Sequence, residues 1–266
     1  MNPIQKLRHF AFQDSSIVAT PLVGSTAATA IDDSLGQREF AIKVAPKAIF
    51  RLLTYIVCTL TALSVASHVG HYVFGFELIE LVILDLERNI PTSYAGLCLA
   101  LCGVLLGVIA LHKSSVRDRF TLAWSGLSFL FFMLALDEIV SLHERTILIL
   151  RNMLNTSGVL YFAWVIPGVV FVLLFAATYF KFWRSLPSRT RNLFLFSGLI
   201  FLSGALGMEM VGGFTATSIG QLNLVYALVT TVEEFLEKMG VVFFIYALLL
   251  YIKTSMGSVK VNFLNE

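Results

Sequence analysis

Tyr94-Ala-Gly-Leu-Cys-Leu-Ala-Leu-Cys-Gly-Val-Leu-Leu-Gly-Val-Ile-Ala-Leu111 runs for eighteen residues without a charge. As an α-helix rising about 1.5 Å per residue it is about 27 Å long, close to the hydrocarbon thickness of a bilayer. It shows no period-two alternation, and only helices or closed barrels satisfy their backbone groups in lipid, so a transmembrane helix is expected. Pro91 stands just ahead, where a helix start tolerates proline. Gly103 and Gly107 make a small-xxx-small face suited to close helix packing. Working outward, this run widens to 92–112, and five more qualify: 50–73, 120–142, 160–183, 192–213 and 222–252. The expectation is an all-α polytopic bundle of six spans. Pro167 lies inside the fourth run and predicts a kink there.

Composition agrees. Hydrophobic residues make up 57% of the chain, charged residues 14%, and the mean hydropathy is +0.82. Soluble domains carry about 25% charged residues. A formal charge of +2 is too small and too dispersed for nucleic acid. Cys58, Cys98 and Cys102 all fall in apolar runs, which points to small packing residues rather than disulfides or a zinc motif. Residues 1–48 hold no apolar core for a signal peptide and read as a flexible cytosolic tail. Residues 49–253 form the transmembrane domain and 254–266 a short cytosolic C-terminal tail.

Lysine and arginine set the orientation. Lys6, Arg8, Arg38, Lys43 and Lys47 precede the first run, and Lys113, Arg117 and Arg119 follow the second. Lys181, Arg184, Arg189 and Arg191 follow the fourth, with Lys253 and Lys260 after the sixth. The intervening connections are less basic, so both termini are expected in the cytoplasm. Segment 76–88 is too charged to span and repeats Glu77, Glu80, Leu84 and Glu87 at helical spacing, which predicts a short amphipathic helix on the outer surface. Residues 143–154 are expected to prolong the third helix and stop at Asn155-Thr-Ser-Gly158.

Ionisable side chains inside membrane spans are costly and mark functional positions. Here they gather at the outer ends of the helices: His68 and His71 on the first, Asp137, Glu138, His143 and Glu144 on the third, Glu209 on the fifth, and Glu233, Glu234, Glu237 and Lys238 on the sixth. The inner halves are almost free of charge. Seven acids against Lys238 and Arg145 cannot be balanced by ion pairs alone, so the acids either hold protons or surround a cation. Carboxylate with imidazole suits Zn²⁺, Mn²⁺ or iron. On this reading His68, His71, His143, Glu144, Glu209 and Glu237 are the metal-ligand set, and Asp137, Glu138, Glu233 and Glu234 the catalytic acids and bases. The plainer alternative is that Glu234–Lys238 and Glu138–Arg145 only hold helix register.

Leu136-Asp-Glu-Ile-Val-Ser-Leu-His-Glu144 and Glu233-Glu-Phe-Leu-Glu-Lys-Met-Gly240, with Asn89-Ile-Pro-Thr92 opening the second span, resemble a group of uncharacterised bacterial polytopic membrane proteins. The resemblance covers roughly residues 50–252. It implies a bacterial inner-membrane protein and transfers no reaction. The zinc hydrolases of the alkaline ceramidase and adiponectin-receptor type do not match, because no H-x-x-x-H pair is present. Nor does the ferritin-like di-iron pattern, because Glu233-Glu-x-x-Glu237 lacks the histidine.

Three functions remain open on the sequence. The first is a metal-dependent membrane enzyme acting on a lipid-like or other apolar substrate that enters sideways from the bilayer. The second is a non-catalytic subunit or assembly factor with a membrane-protein partner. The third is a cation- or proton-coupled transporter.

Overall fold

The computed structural model describes residues 30–32, 38–41, 45–256 and 260–261, with backbone alone for 30–32, 38–41, 142–146, 148 and 260–261. Its larger unit, Lys43–Val259, is all-α. In chain order it contains α1 Pro46–Phe74, α2 Ile90–Ser115, α3 Thr121–Val140, α4 Leu142–Leu154, α5 Val165–Ser185, α6 Ser188–Leu202, a π-helical turn Ser203–Met208, α7 Glu209–Ile219 and α8 Leu224–Tyr251. The π turn joins α6 and α7 into one continuous helix. Among the described residues six helices are long and apolar enough to cross a membrane, and they coincide with the six hydrophobic runs.

α8 is the hub. It packs on α1, α2, α6 and α7, and Ile245, Leu248, Leu106, Ile109 and Trp124 are fully buried around its second half. Close approach depends on glycine in two places. A Cβ on Gly240 of α8 would stand 2.7 Å from the backbone nitrogen of Phe201 on α6, and one on Gly103 of α2 would stand 3.0 Å from the Phe132 ring on α3. The second contact makes the expected small-residue face real, and Ser128 Oγ donates across it to the Gly103 carbonyl at 2.7 Å. α5 is different: along its whole length only Val165 and Phe182 are buried.

Three expectations need correction. Pro167 does not kink a span, because α5 begins only at Val165 and a proline in the first turn removes no intrahelical hydrogen bond. Segment 76–88 is not an amphipathic helix. It keeps one 3₁₀ turn, Glu80–Val82, because side chains elsewhere take its backbone groups. Ser67 Oγ accepts from the Ile79 N–H at 2.8 Å and Ser64 Oγ from the Leu84 N–H at 3.2 Å. Asn89 Nδ2 donates to the carbonyls of Glu80 and Ile83 at 3.1 and 2.6 Å, while its Oδ1 caps α2 at the Thr92 N–H. Ile83 and Leu84 are buried beneath this lattice. Finally, 143–154 does not prolong α3. Ser141 takes a left-handed conformation, φ 58°, and starts the separate helix α4, which does stop at the left-handed Asn155.

A second, small unit holds three short antiparallel strands in the order β1 Ala30–Asp32, β2 Arg38–Ala41, β3 Lys260–Val261, with Ala30 opposite Phe40 and Phe40 opposite Val261.

Candidate functional site

At the end of the bundle where α1 and α3 finish and α2, α5 and α8 begin, a cavity of about 480 Å³ opens between the helices. Asp137 and Glu138 reach it from α3, Glu209 from α7, and Glu233, Glu234, Glu237 and Lys238 from α8. Seven of the residues singled out in the sequence thus meet in one place. The loop before α2 adds Asp85 and Glu87, and Thr92, Tyr94, Trp164, Gln221, Tyr226 and Thr230 add uncharged polar groups to the lining.

The backbone explains why Glu209 arrives here. A π turn accommodates one residue more than an α turn and recurs at functional sites. This one carries Gly204 against α8, where a Cβ would lie 2.7 Å from the Glu233 carbonyl and 2.8 Å from Glu237 Cγ. No larger residue fits without moving α8. Glu209 caps the turn and faces the cavity that Glu233 lines. Trp164 Nε1 donates to Glu209 Oε1 at 2.7 Å. Gly212, one turn further, lies beside the Glu233 carboxyl; a Cβ there would make an ordinary contact with Glu233 Oε2 at 3.8 Å.

Charge in the cavity is lopsided. Glu233 and Lys238 are only 8% and 4% exposed, and Lys238 forms an ion pair with Glu234 one turn earlier. Glu237 has no hydrogen-bond partner among the described residues. Asp85, Glu87, Asp137, Glu138, Glu209, Glu233, Glu234 and Glu237 make eight carboxyls in the wall, against Lys238 as its one basic side chain among the described residues.

The histidines do not join this wall. His68 is 6% exposed on α1, outside the cavity lining, and neither of its ring nitrogens has a hydrogen-bond partner among the described residues. His71 Nδ1 donates to the Phe76 carbonyl at 2.9 Å, tying the end of α1 to the following loop. The side chains of His143 and Glu144 lie outside the described residues. Among the described residues no group of three or more His, Cys, Asp and Glu side chains is placed to hold a metal ion, so the carboxyls spread around the wall instead of converging on one point.

Asp85, Trp164, Gln221 and Tyr226 escaped the sequence reading. Asp85 sits in the acidic segment assigned there to a surface helix. Gln221 and Tyr226 flank the cap of α8, where Asn223 Oδ1 accepts from the Tyr226 N–H at 2.9 Å. That cap was the signal available for them; Trp164 had none.

Among comparisons with known proteins, a family model, Domain of unknown function (DUF8692), matches residues 51–252. No curated protein and no solved structure matches the chain.

Proposed function

We propose that this chain, which belongs to the DUF8692 family, is a membrane-embedded enzyme that performs acid–base chemistry on an apolar molecule admitted from the bilayer. The observation that carries the reading is that Glu209, fixed by Trp164, shares one cavity with Glu233 and Glu237. Carboxyls gathered in so poorly hydrated a space share protons instead of all staying ionised. Trp164 holds Glu209 in place, and the π turn sets it against α8. Glu233 then gives a proton to the bound molecule or takes one from it, and Glu237 faces the molecule being acted on. Asp137 and Glu138 tune the field from α3, and the Lys238–Glu234 pair anchors the floor.

We place the chain in a bacterial inner membrane, N-in and C-in, with the cavity facing the periplasm. The support is the basic residues Lys113, Arg117, Arg119, Lys181, Arg184 and Arg191, all at the opposite end of the bundle.

The experiment compares the lipids of host membranes expressing equal amounts of the wild type, Glu209→Gln and Glu233→Gln, by mass spectrometry. At least one lipid-like species should rise or fall with the wild type and stay at the empty-vector level with both variants. Identical lipid profiles in all four strains would remove the enzymatic reading.

A further inference from the structure

A second cavity, also about 480 Å³, lies between α3, α5, α6 and α8, deeper along the bundle, and its lining is almost wholly aromatic and aliphatic. It exists because α5 stands off: a helix with only two buried residues leaves a crevice beside its neighbours. Leu99, Leu134, Val172, Phe201, Leu202 and Val241 line both cavities, so the two adjoin along these side chains. The change from one to the other is abrupt. On α3, Leu134 is three residues before Asp137; on α8, Val241 is four after Glu237; on α6, Leu202 adjoins the π turn that carries Gly204. The boundary between acidic and apolar lining therefore crosses the bundle within about one helical turn, about 5 Å.

A space that is anionic at one end and apolar at the other complements an amphiphile of the opposite polarity. We infer that the adjoining cavities bind a long-chain amine: an ammonium head among Glu233, Glu237 and the neighbouring carboxyls, and an alkyl chain along the crevice past Phe201 toward Trp183. A positive head relieves the excess of Glu209, Glu233, Glu234 and Glu237 over Lys238 among the described residues, whereas a phosphate or sulfate head would add to it. The chain in turn fills apolar space that water does not occupy favourably. This deepens the reading above, because it names the class of molecule that meets the acids. Its test reads binding, so head-group selectivity can stand while turnover fails, and turnover can stand while selectivity fails.

Trp183 lines the crevice and serves as the reporter. Purified full-length protein in a neutral maltoside detergent is titrated with dodecylamine brominated at the chain end, and with dodecanol and dodecyl sulfate brominated in the same way. Bromine quenches a tryptophan it touches, and the component absent from Trp183→Phe belongs to Trp183. The amine should half-saturate this quenching at about one-tenth the micellar mole fraction needed by the alcohol, with the sulfate weaker still. In Glu233→Gln and Glu237→Gln the advantage of the amine should shrink toward unity while the alcohol is unchanged. Gly198 lines the crevice, and a Cβ there meets nothing within 4 Å, so Gly198→Phe should weaken amine and alcohol together and leave their ratio alone. Equal half-saturation for amine and alcohol in the wild type overturns the inference, and so does preference for the sulfate. That wild-type comparison decides the matter even where a variant fails to fold.

Discussion

Replacing Gly240 by alanine tests whether the acid cavity is held by helices in backbone contact. The added Cβ would sit 2.7 Å from Phe201 Cβ, 2.7 Å from its nitrogen and 2.8 Å from its Cα. Optimal separation for carbon atoms is about 3.5 Å or more, so each contact is short by about 0.7 Å or more. Two of the three atoms are backbone and cannot rotate away, so α6 and α8 must separate. Such overpacking costs about 1–3 kcal/mol. Alanine also gains about 1 kcal/mol of helix propensity over glycine, which would mask part of the loss. Gly198→Ala removes that ambiguity: it carries the same propensity gain, and its Cβ meets open space. The difference between the two variants is therefore the steric cost alone, about 1–3 kcal/mol. Unfolding by sodium dodecyl sulfate in mixed micelles, followed by tryptophan fluorescence, measures it. Gly240→Ala should unfold at the lower sulfate fraction. Equal midpoints for the two variants would mean that α6 and α8 do not touch at Phe201, and the account of how Glu209 meets Glu233 would fall with that contact.

Asn89→Ala should lose about 2–4 kcal/mol, the sum of a helix cap and two buried carbonyls left without a donor; the same unfolding assay reads it, together with faster protease cleavage within 76–88. Lys238→Met alone leaves Glu234 without its partner and should cost about 3–5 kcal/mol, whereas adding Glu234→Met should recover much of that loss; additive losses would mean the pair is not coupled. Asp118, in the turn between α2 and α3, accepts from the Phe120 N–H at 2.8 Å and pairs with Lys113 at 3.0 Å, and these contacts hold its carboxyl below the ordinary aspartate range. A depressed value means that its stabilisation is full above the unfolded pKa, about 3.9, and is lost as pH falls through the folded value. Asp118→Asn should therefore lower the thermal midpoint at neutral pH and make little difference once both proteins are below that value; a gap that persists in acid would contradict the assignment.

Hydropathy alone located all six long apolar helices among the described residues, because runs this long and this apolar can do little else in a bilayer. It could not show which helices touch, so the meeting of Asp137, Glu209 and Glu237 was an inference from shared depth that the coordinates turned into a cavity. The errors have a common cause. The helical spacing of 76–88 was real, but Ser64, Ser67 and Asn89 compete for its backbone groups, and no local pattern announces an acceptor twelve or twenty residues away. His68 and His71 share the depth of the acids yet point elsewhere, because depth is a single coordinate and helix rotation is another. The π turn at Ser203–Met208 was equally invisible: periodicity read across it places Glu209 about 100° from where one inserted residue sends it.

The order of synthesis gives α8 a special position. It follows every other described helix of the bundle, and it bears Glu233, Glu234, Glu237 and Lys238, residue types that are costly at the centre of an isolated inserting helix. Its apolar C-terminal half and the Glu234–Lys238 pair offset only part of that penalty. The helices against which it packs, α1, α2, α6 and α7, have all left the ribosome before it. Assembly of this bundle therefore waits for a keystone: α8 partitions into a waiting protein cleft instead of into bare lipid, and truncating any earlier wall should strand it at the insertion machinery.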